Sequence, residues 1–237
     1  KLMNAEAQRL GMTHTHFMNA TGLPDPEHKS SARDLAILAR AIIRDSADFY
    51  PIYAERDFKY NNIKQGNRNA LLYTDPTVDG LKTGHTEEAG YCLVTSSKRN
   101  GMRLITVILN TNSAKARADQ TRSLLGWGFS NFEKATPIQP NTAVTAAKVN
   151  FGKVDTVPAV LESPWMVTVP RGQQLQTSVQ TKPDLEAPVA KGAVIGKVVA
   201  SSNGKPVGET RLVAQADVER AGLMLRSWQR VIKLFGK

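Results

Sequence analysis

The residues best equipped for chemistry stand together between Val78 and Thr86, in the run V-D-G-L-K-T-G-H-T. Lys82 offers an ammonium, Thr83 a hydroxyl and Gly84 an unobstructed backbone, in immediate succession. Asp79-Gly80 reads as a tight turn and Leu81 as the start of a strand. Alternation puts Lys82 and Gly84 on one face and Thr83 on the other, unless an edge position lets all three reach a cleft. At a sheet edge, free backbone groups can pair with an extended peptide. The ammonium and the hydroxyl would then hold its negative end, and the glycine would admit its backbone. The chemistry implied is a grip on a peptide carboxylate, although three such residues alone could equally be an exposed lysine and threonine beside a turn glycine.

These residues need a scaffold, and the chain is long enough to supply one. Its 237 residues suit one large domain or two modest ones, and 41% hydrophobic with 22% charged content is that of a globular protein. A single cysteine excludes an internal disulfide framework. The net charge of +10 implies attraction to a polyanion, be it nucleic acid, anionic lipid or anionic cell wall. No hydrophobic run reaches spanning length, and the first residues form no signal peptide.

In chain order, Leu2, Met3, Ala7 and Leu10 form an apolar stripe at helical spacing, read as core and stopped at Gly11. His14 and His16 alternate, and His28 sits in a Pro-rich turn. No third ligand at convincing spacing follows, so surface or hydrogen-bonded histidines are the reading, with no metal. Ser31 with Asp34 is a capping-box-like start, followed by Leu35, Leu38, Ala39, Ile42 and Ile43 on one helical face, with Arg33, Arg40 and Arg44 solvated. Aromatics gather from Phe49 to Tyr60, including Tyr50, Tyr53 and Phe58, a spacing more typical of core packing than of stacking on a sugar or base. Residues 59–73 read as a polar segment rich in Asn and Gly, with Arg68 inside it.

Apolar runs flanking Asn100-Gly101 predict a hairpin whose second strand lies deep in a sheet. Cys92, in its first strand, reads as a small buried residue and not a nucleophile. Ser113 caps a helix running toward Trp127, with Arg117 in its first turn, where a cation is mildly unfavourable. Beyond Lys134 the texture turns to Val, Thr, Gln, Pro and Gly with short alternating runs and a second hairpin at Asn203-Gly204, which predicts a small β domain. Ser202 to Lys205 formally matches S-x-x-K, and Ser201 to Asn203 matches S-x-N, but both fall on that hairpin turn. Residues 218–237 read as an amphipathic helix, with Met224, Leu225, Trp228, Val231, Ile232 and Phe235 on one face and Arg220, Arg226, Arg230, Lys233 and Lys237 supplying charge. Such a helix lies in a membrane interface or docks on its own domain.

K-T-G is one of three signatures of penicillin-binding proteins and class A β-lactamases, beside S-x-x-K and S-D-N. The longer run from Val78, with T-H-F-M-N-A-T-G-L from Thr15, S-S-A-R-D-L-A-I-L-A-R-A-I-I from Ser30, G-N-R-N-A-L-L from Gly66 and N-S-A-K-A-R from Asn112, resembles the low-molecular-mass penicillin-binding proteins of the D-alanyl-D-alanine carboxypeptidase class, serine peptidases of the S11 kind. The resemblance implies an α+β fold. Residues 1–134 would be the C-terminal part of a penicillin-binding, transpeptidase-like domain with an antiparallel sheet and helices, 135–217 a small all-β domain, and 218–237 a membrane-associating amphipathic helix.

The resemblance also assigns roles. Lys82, Thr83, Gly84, Thr86, Arg68 and Arg117 would bind substrate, and the backbone N–H at His85 would help stabilise an oxyanion. The catalytic serine and its lysine stand in motifs that the resemblance places before Lys1, so the nucleophile is expected outside these residues, on an N-terminal part whose absence leaves a sheet face bare. Implied partners are peptidoglycan peptides ending in D-Ala-D-Ala, β-lactam antibiotics and an anionic membrane surface, on the periplasmic face of the bacterial inner membrane. No cofactor and no specific nucleic acid is expected. A β-lactamase-like hydrolase and a non-catalytic, membrane-associated wall-binding scaffold remain as alternatives.

Overall fold

The structure, a computed structural model, describes residues 1–140 and 142–223. The chain divides into two compact units, Lys1–Asn131 and Phe132–Lys237. The boundary falls just ahead of the change of texture after Lys134, because Phe132–Ala135 already forms a strand paired with Val167–Pro170.

The first unit opens with helix α1, Leu2–Leu10, which ends where Gly11 takes a left-handed conformation at φ 77°. Its stripe is not core. Only Ala7 is buried, and Leu2 is 88% exposed, because among the described residues no layer covers that face. Helix α2, Ala32–Asp45, starts as its sequence demands, with the Ser31 side chain accepting from the Asp34 N–H. The Asp34 carboxylate turns away from the reciprocal bond and accepts from Thr15 Oγ1 at 2.7 Å and from the His14 N–H at 2.8 Å. These bonds, the Thr15 hydroxyl foremost, hold it below the usual carboxylate range against the opposing effect of burial.

A 3₁₀ turn at Tyr50–Ala54 leads into strands β1, Asp57–Tyr60, and β2, Ile63–Gly66, which form a hairpin where the sequence reading had a plain polar segment. Asn61 and Asn62, both at positive φ, make its turn. Every residue of the two strands is exposed, so Phe58 lies on the surface and not in a core, as does Phe49; of the aromatic group only Tyr50 is buried. A short helix α3, Leu71–Thr74, follows.

Strands β3, Val78–Thr86, β4, Gly90–Arg99, and β5, Met102–Thr111, form an antiparallel sheet in that order, closed at one end by the Asn100-Gly101 turn. Asp79-Gly80 is no turn: it lies within β3 as an irregularity in register between Val78 and Gly80. Gly80 is needed there because a Cβ would stand 2.8 Å from the Tyr50 hydroxyl oxygen. The strand expected deep in the sheet, β5, is instead an edge among the described residues, with β4 central, and Cys92 on β4 is half-buried. Helix α4, Ala114–Asn131, packs on β4 and β5 and continues past Trp127 through Gly128, where a side chain would meet Leu104 at 2.7 Å. Leu125 on α4, Leu71, Leu72 and Leu93 form the core between this helix and the sheet.

The second unit is all β. After strand β6, Phe132–Ala135, come β7, Thr145–Lys148, β8, Thr156–Leu161, β9, Val167–Pro170, β10, Leu175–Thr181, β11, Val194–Ser202, and β12, Lys205–Ala214. They build a sheet of order β10-β11-β12-β8-β7 and a separate β6-β9 pair. Alternating residues such as Ile195, Val198 and Leu212 fill a closed core. Asn203-Gly204 turns the β11–β12 hairpin, so the formal S-x-x-K and S-x-N matches lie at a turn. Val218 and Arg220 are extended, bridged to Val189 and Gly152, so the terminal helix does not begin at Val218. Their backbone bonds and the buried Val218 side chain tie them into the β unit. The rest of that expected helix, 224–237, lies outside the described residues.

Candidate functional site

Strand β3 is an edge of its sheet among the described residues, with β4 on its one paired side. The burial of its side chains divides it in two. Val78, Gly80 and Leu81 are buried against the protein, whereas Lys82, Gly84 and His85 are exposed. The first half therefore anchors the strand and the second half presents it.

Beneath the anchored half runs a polar network across the sheet. Asp79 pairs with Arg103 on β5 at 2.7 Å and accepts a hydrogen bond from the Tyr50 hydroxyl at 2.9 Å. Burial pushes the Tyr50 hydroxyl up to about 12, with the Asp79 carboxylate adding to the effect of burial. Asp75 accepts from Thr77 and Arg99; these bonds outweigh the effect of burial and hold its carboxyl below the usual range.

The presented half opens on a cleft of about 1220 Å³. Lys82, Thr83, Gly84, His85 and Thr86 all line it, and so do Arg68 and Arg117, so the structure brings every sequence-predicted site residue into one cavity. Thr83 reaches the cleft beside Lys82 and Gly84 despite the alternation, as the edge position of β3 among the described residues allows. Lys82 Nζ donates to the Thr83 carbonyl and forms no ion pair among the described residues. Gly84 has open space: the nearest atom to an added Cβ is Cys92 Cβ at 3.9 Å. The Thr86 hydroxyl accepts from the Ala89 N–H and so caps the turn into β4. The His85 ring rests on Tyr91, with centroids 3.9 Å apart.

The two arginines differ. Arg68 carries no side-chain hydrogen bond or ion pair among the described residues, and its guanidinium is free for a ligand. Arg117 is 6% exposed and spends its N–H groups on backbone carbonyls, of Arg68 at 3.2 Å, Cys92 at 3.3 Å and Gly84 at 3.5 Å. Burial without a carboxylate partner pulls its guanidinium below the usual value. Arg117 thus lines the cleft with little exposed surface and braces its wall.

Sequence reasoning passed over three features. Asn69, 1% exposed, donates from Nδ2 to the Gly80 carbonyl at 3.1 Å and accepts from the Leu71 N–H. The facing wall contains Asn19 to Gly22, where Asn19 Oδ1 accepts from the Thr21 hydroxyl and the Gly22 N–H and shapes the loop. Beside the cleft, Leu35, Leu38, Ile42, Leu81 and Leu109 line an apolar groove of about 330 Å³ between α2 and the sheet. The flanking asparagines of N-R-N were the available signal for the first. Among the described residues no group of three or more His, Cys, Asp or Glu could hold a metal ion.

Comparison with known proteins gives concordant results. The family described as D-alanyl-D-alanine carboxypeptidase matches residues 1–113, and that of the penicillin-binding protein 5 C-terminal domain matches residues 132–220. The D-alanyl-D-alanine carboxypeptidase DacC of Escherichia coli is 40% identical over 238 residues, covering 99% of this chain and 60% of the relative. The crystal structure of penicillin-binding protein 5 from Haemophilus influenzae matches with a TM-score of 0.77 at 40% identity, over 92% of this chain and 65% of that one. Penicillin-binding protein D2 from Listeria monocytogenes, solved in a cefotaxime-bound form, matches with a TM-score of 0.51 at 32% identity, over 54% of this chain and 53% of that one. The chain thus spans about 60% of the length of the curated relatives it matches.

Proposed function

Because this chain belongs to the D-alanyl-D-alanine carboxypeptidase family of low-molecular-mass penicillin-binding proteins, we propose that its cleft binds the C-terminal carboxylate of peptidoglycan stem peptides in a serine-type D-Ala-D-Ala carboxypeptidase. The observation that carries this reading is the convergence of unpaired Lys82 and Arg68 with Thr83 and Gly84 on an edge strand facing one cavity. Two cations and a hydroxyl lining one cavity suit a carboxylate, and a strand edge suits the extended peptide behind it.

In the reaction, a serine hydroxyl attacks the penultimate carbonyl carbon, an ester forms as the amine of the terminal D-alanine leaves, and water then hydrolyses the ester. Lys82, Thr83 and Arg68 hold the departing residue's carboxylate. Gly84 admits the substrate backbone. The His85 N–H contributes to oxyanion stabilisation, worth roughly 3 kcal/mol for one donor in other hydrolases.

The nucleophile and its base lie outside these 237 residues in this reading. Ser30 lines the cleft, but its hydroxyl is hydrogen-bonded to that of Thr15 and no lysine partners it. The apolar groove beside the K-T-G strand supports a nucleophile-bearing helix packing there from the remainder of the protein. The basic, amphipathic pattern of 224–237 supports peripheral attachment to the periplasmic face of the inner membrane.

Intact-mass measurement of the complete gene product after incubation with a penicillin tests the reading. One added drug mass is expected. No adduct, with the fold intact, would leave a wall-binding scaffold instead.

A further inference from the structure

The cleft holds a free guanidinium on a backbone that is tied down from every side. Arg68 lies between two asparagines that both work as struts. Asn67 donates from Nδ2 to the Glu55 carbonyl, and its N–H donates to the Arg56 carbonyl at 2.7 Å. Its Oδ1 accepts from the Asn69 N–H at 3.0 Å, so the side chain closes a loop around Arg68. Asn69 then reaches Gly80, at the root of the presented half of β3. On the other side the Arg68 carbonyl accepts from Arg117, whose other Nη reaches Gly84 at the tip of the same half.

Two buried side chains therefore tie Arg68 to both ends of the segment Gly80–Gly84 that carries Lys82. Such groups are costly to bury for stability alone. Arg117 has three carbonyls and no counter-ion, and a hydrophobic residue would fill the same volume without desolvating a charge. What the arrangement supplies is a fixed relation between two cations on different parts of the chain. A carboxylate bridged by two cations is sensitive to their separation, because both contacts must form at once.

We propose that Asn69 and Arg117 are positioning residues that hold Arg68 in register with Lys82, so that the two cations engage one terminal carboxylate together. Both side chains spend their donors on backbone carbonyls. Both act through Arg68. This rests on the reading of the cleft as a carboxylate site.

The test uses the complete gene product and steady-state hydrolysis of a peptide ending in D-Ala-D-Ala, with Arg68→Ala, Asn69→Ala, Arg117→Lys and the doubles with Arg68→Ala. Arg68→Ala and Asn69→Ala should each raise KM about tenfold with kcat changed little, the pattern of lost carboxylate binding. Arg117→Lys, which keeps the charge but cannot span three acceptors, should raise KM less. Each double should be no worse than Arg68→Ala, because the partner acts through the deleted side chain. Leu125→Ala, a cavity in the same unit's core, should lower the melting temperature and leave KM unchanged.

If Asn69→Ala and Arg117→Lys leave KM unchanged while Arg68→Ala raises it, or if the doubles are additive, the positioning role is overturned and the carboxylate site stands. If Arg68→Ala has no effect on KM, the reading of the cleft is what fails. Should Asn69→Ala not fold, Arg117→Lys decides alone.

Discussion

The two units of this chain treat their sheets in opposite ways. In the β unit the inward faces are filled: Ala159, Ile195, Val198 and Leu212 are all wholly buried, and the cations Lys153, Lys197 and Arg171 stand opposite carboxylates of Glu219, Glu209 and Glu133. In the first unit one core lies between the sheet and α4, and a second, around Ala39, Tyr50 and Leu81, lies under α2. Beside that second core it leaves an apolar groove open, and at the end of β3 Lys82 and Arg68 line a cleft without an ion pair among the described residues. A sheet that satisfies itself is a support. A sheet that leaves cations and an edge open offers groups that a ligand can pair.

The sharpest way to break that comparison is to remove the open charge. Lys82→Ala in the complete gene product should slow acylation by penicillin on the order of 10³-fold, about 4 kcal/mol, with folding intact by circular dichroism. An unaltered rate would mean that the cation is as idle as any surface lysine. The converse test empties the closed core. Ile195→Ala should cost about 2–5 kcal/mol in urea denaturation by opening a cavity, with the acylation rate unchanged.

Gly84→Ala separates protein from ligand at one atom. Nothing lies nearer than 3.9 Å to the added methyl, so the melting temperature should hold. The methyl points where a substrate backbone would approach, so acylation should fall about thirtyfold, roughly 2 kcal/mol. Loss of stability in place of activity would show that the glycine serves the fold.

The smallest effect is in alkali. Tyr50 has its ionisation raised to about 12 from 10.0 by burial, so the folded state holds this proton after the unfolded chain has released it. The stabilisation is complete below pH 10 and is lost as pH climbs through about 12, with a total of roughly 1–2 kcal/mol. Residues 132–237 contain no tyrosine, so tyrosinate absorbance should follow the first unit alone, and Tyr50→Phe should flatten its slope. An equal slope in the variant would place the titration elsewhere.

Much of this was legible in the residues. Ser31 before Asp34, Gly11 after Leu10 and the two Asn-Gly turns appear where local backbone preferences put them, because caps and turns are settled within a few residues. The K-T-G run was legible as a cation, a hydroxyl and a glycine on an accessible strand, and the structure puts all three in the lining of a cleft. Other readings failed where a distant layer decides. Leu2 and Phe58 are apolar yet exposed, because periodicity shows that a face is apolar but not whether anything covers it. Arg117 looked mildly unfavourable in the first turn of its helix, and its burial depends on carbonyls that come from three other segments.

By itself, then, the sequence determined the caps of α1 and α2, the two Asn-Gly hairpins and the chemical character of the β3 tip, since each follows from short-range sterics, hydrogen bonding and side-chain type. Only the tertiary structure decided that Arg68 and Lys82 line one cleft, that Asn69 and Arg117 bond to the backbone around them, and that β5 is an edge among the described residues. These are relations between segments far apart along the chain, fixed by packing and by the need of buried polar groups for partners.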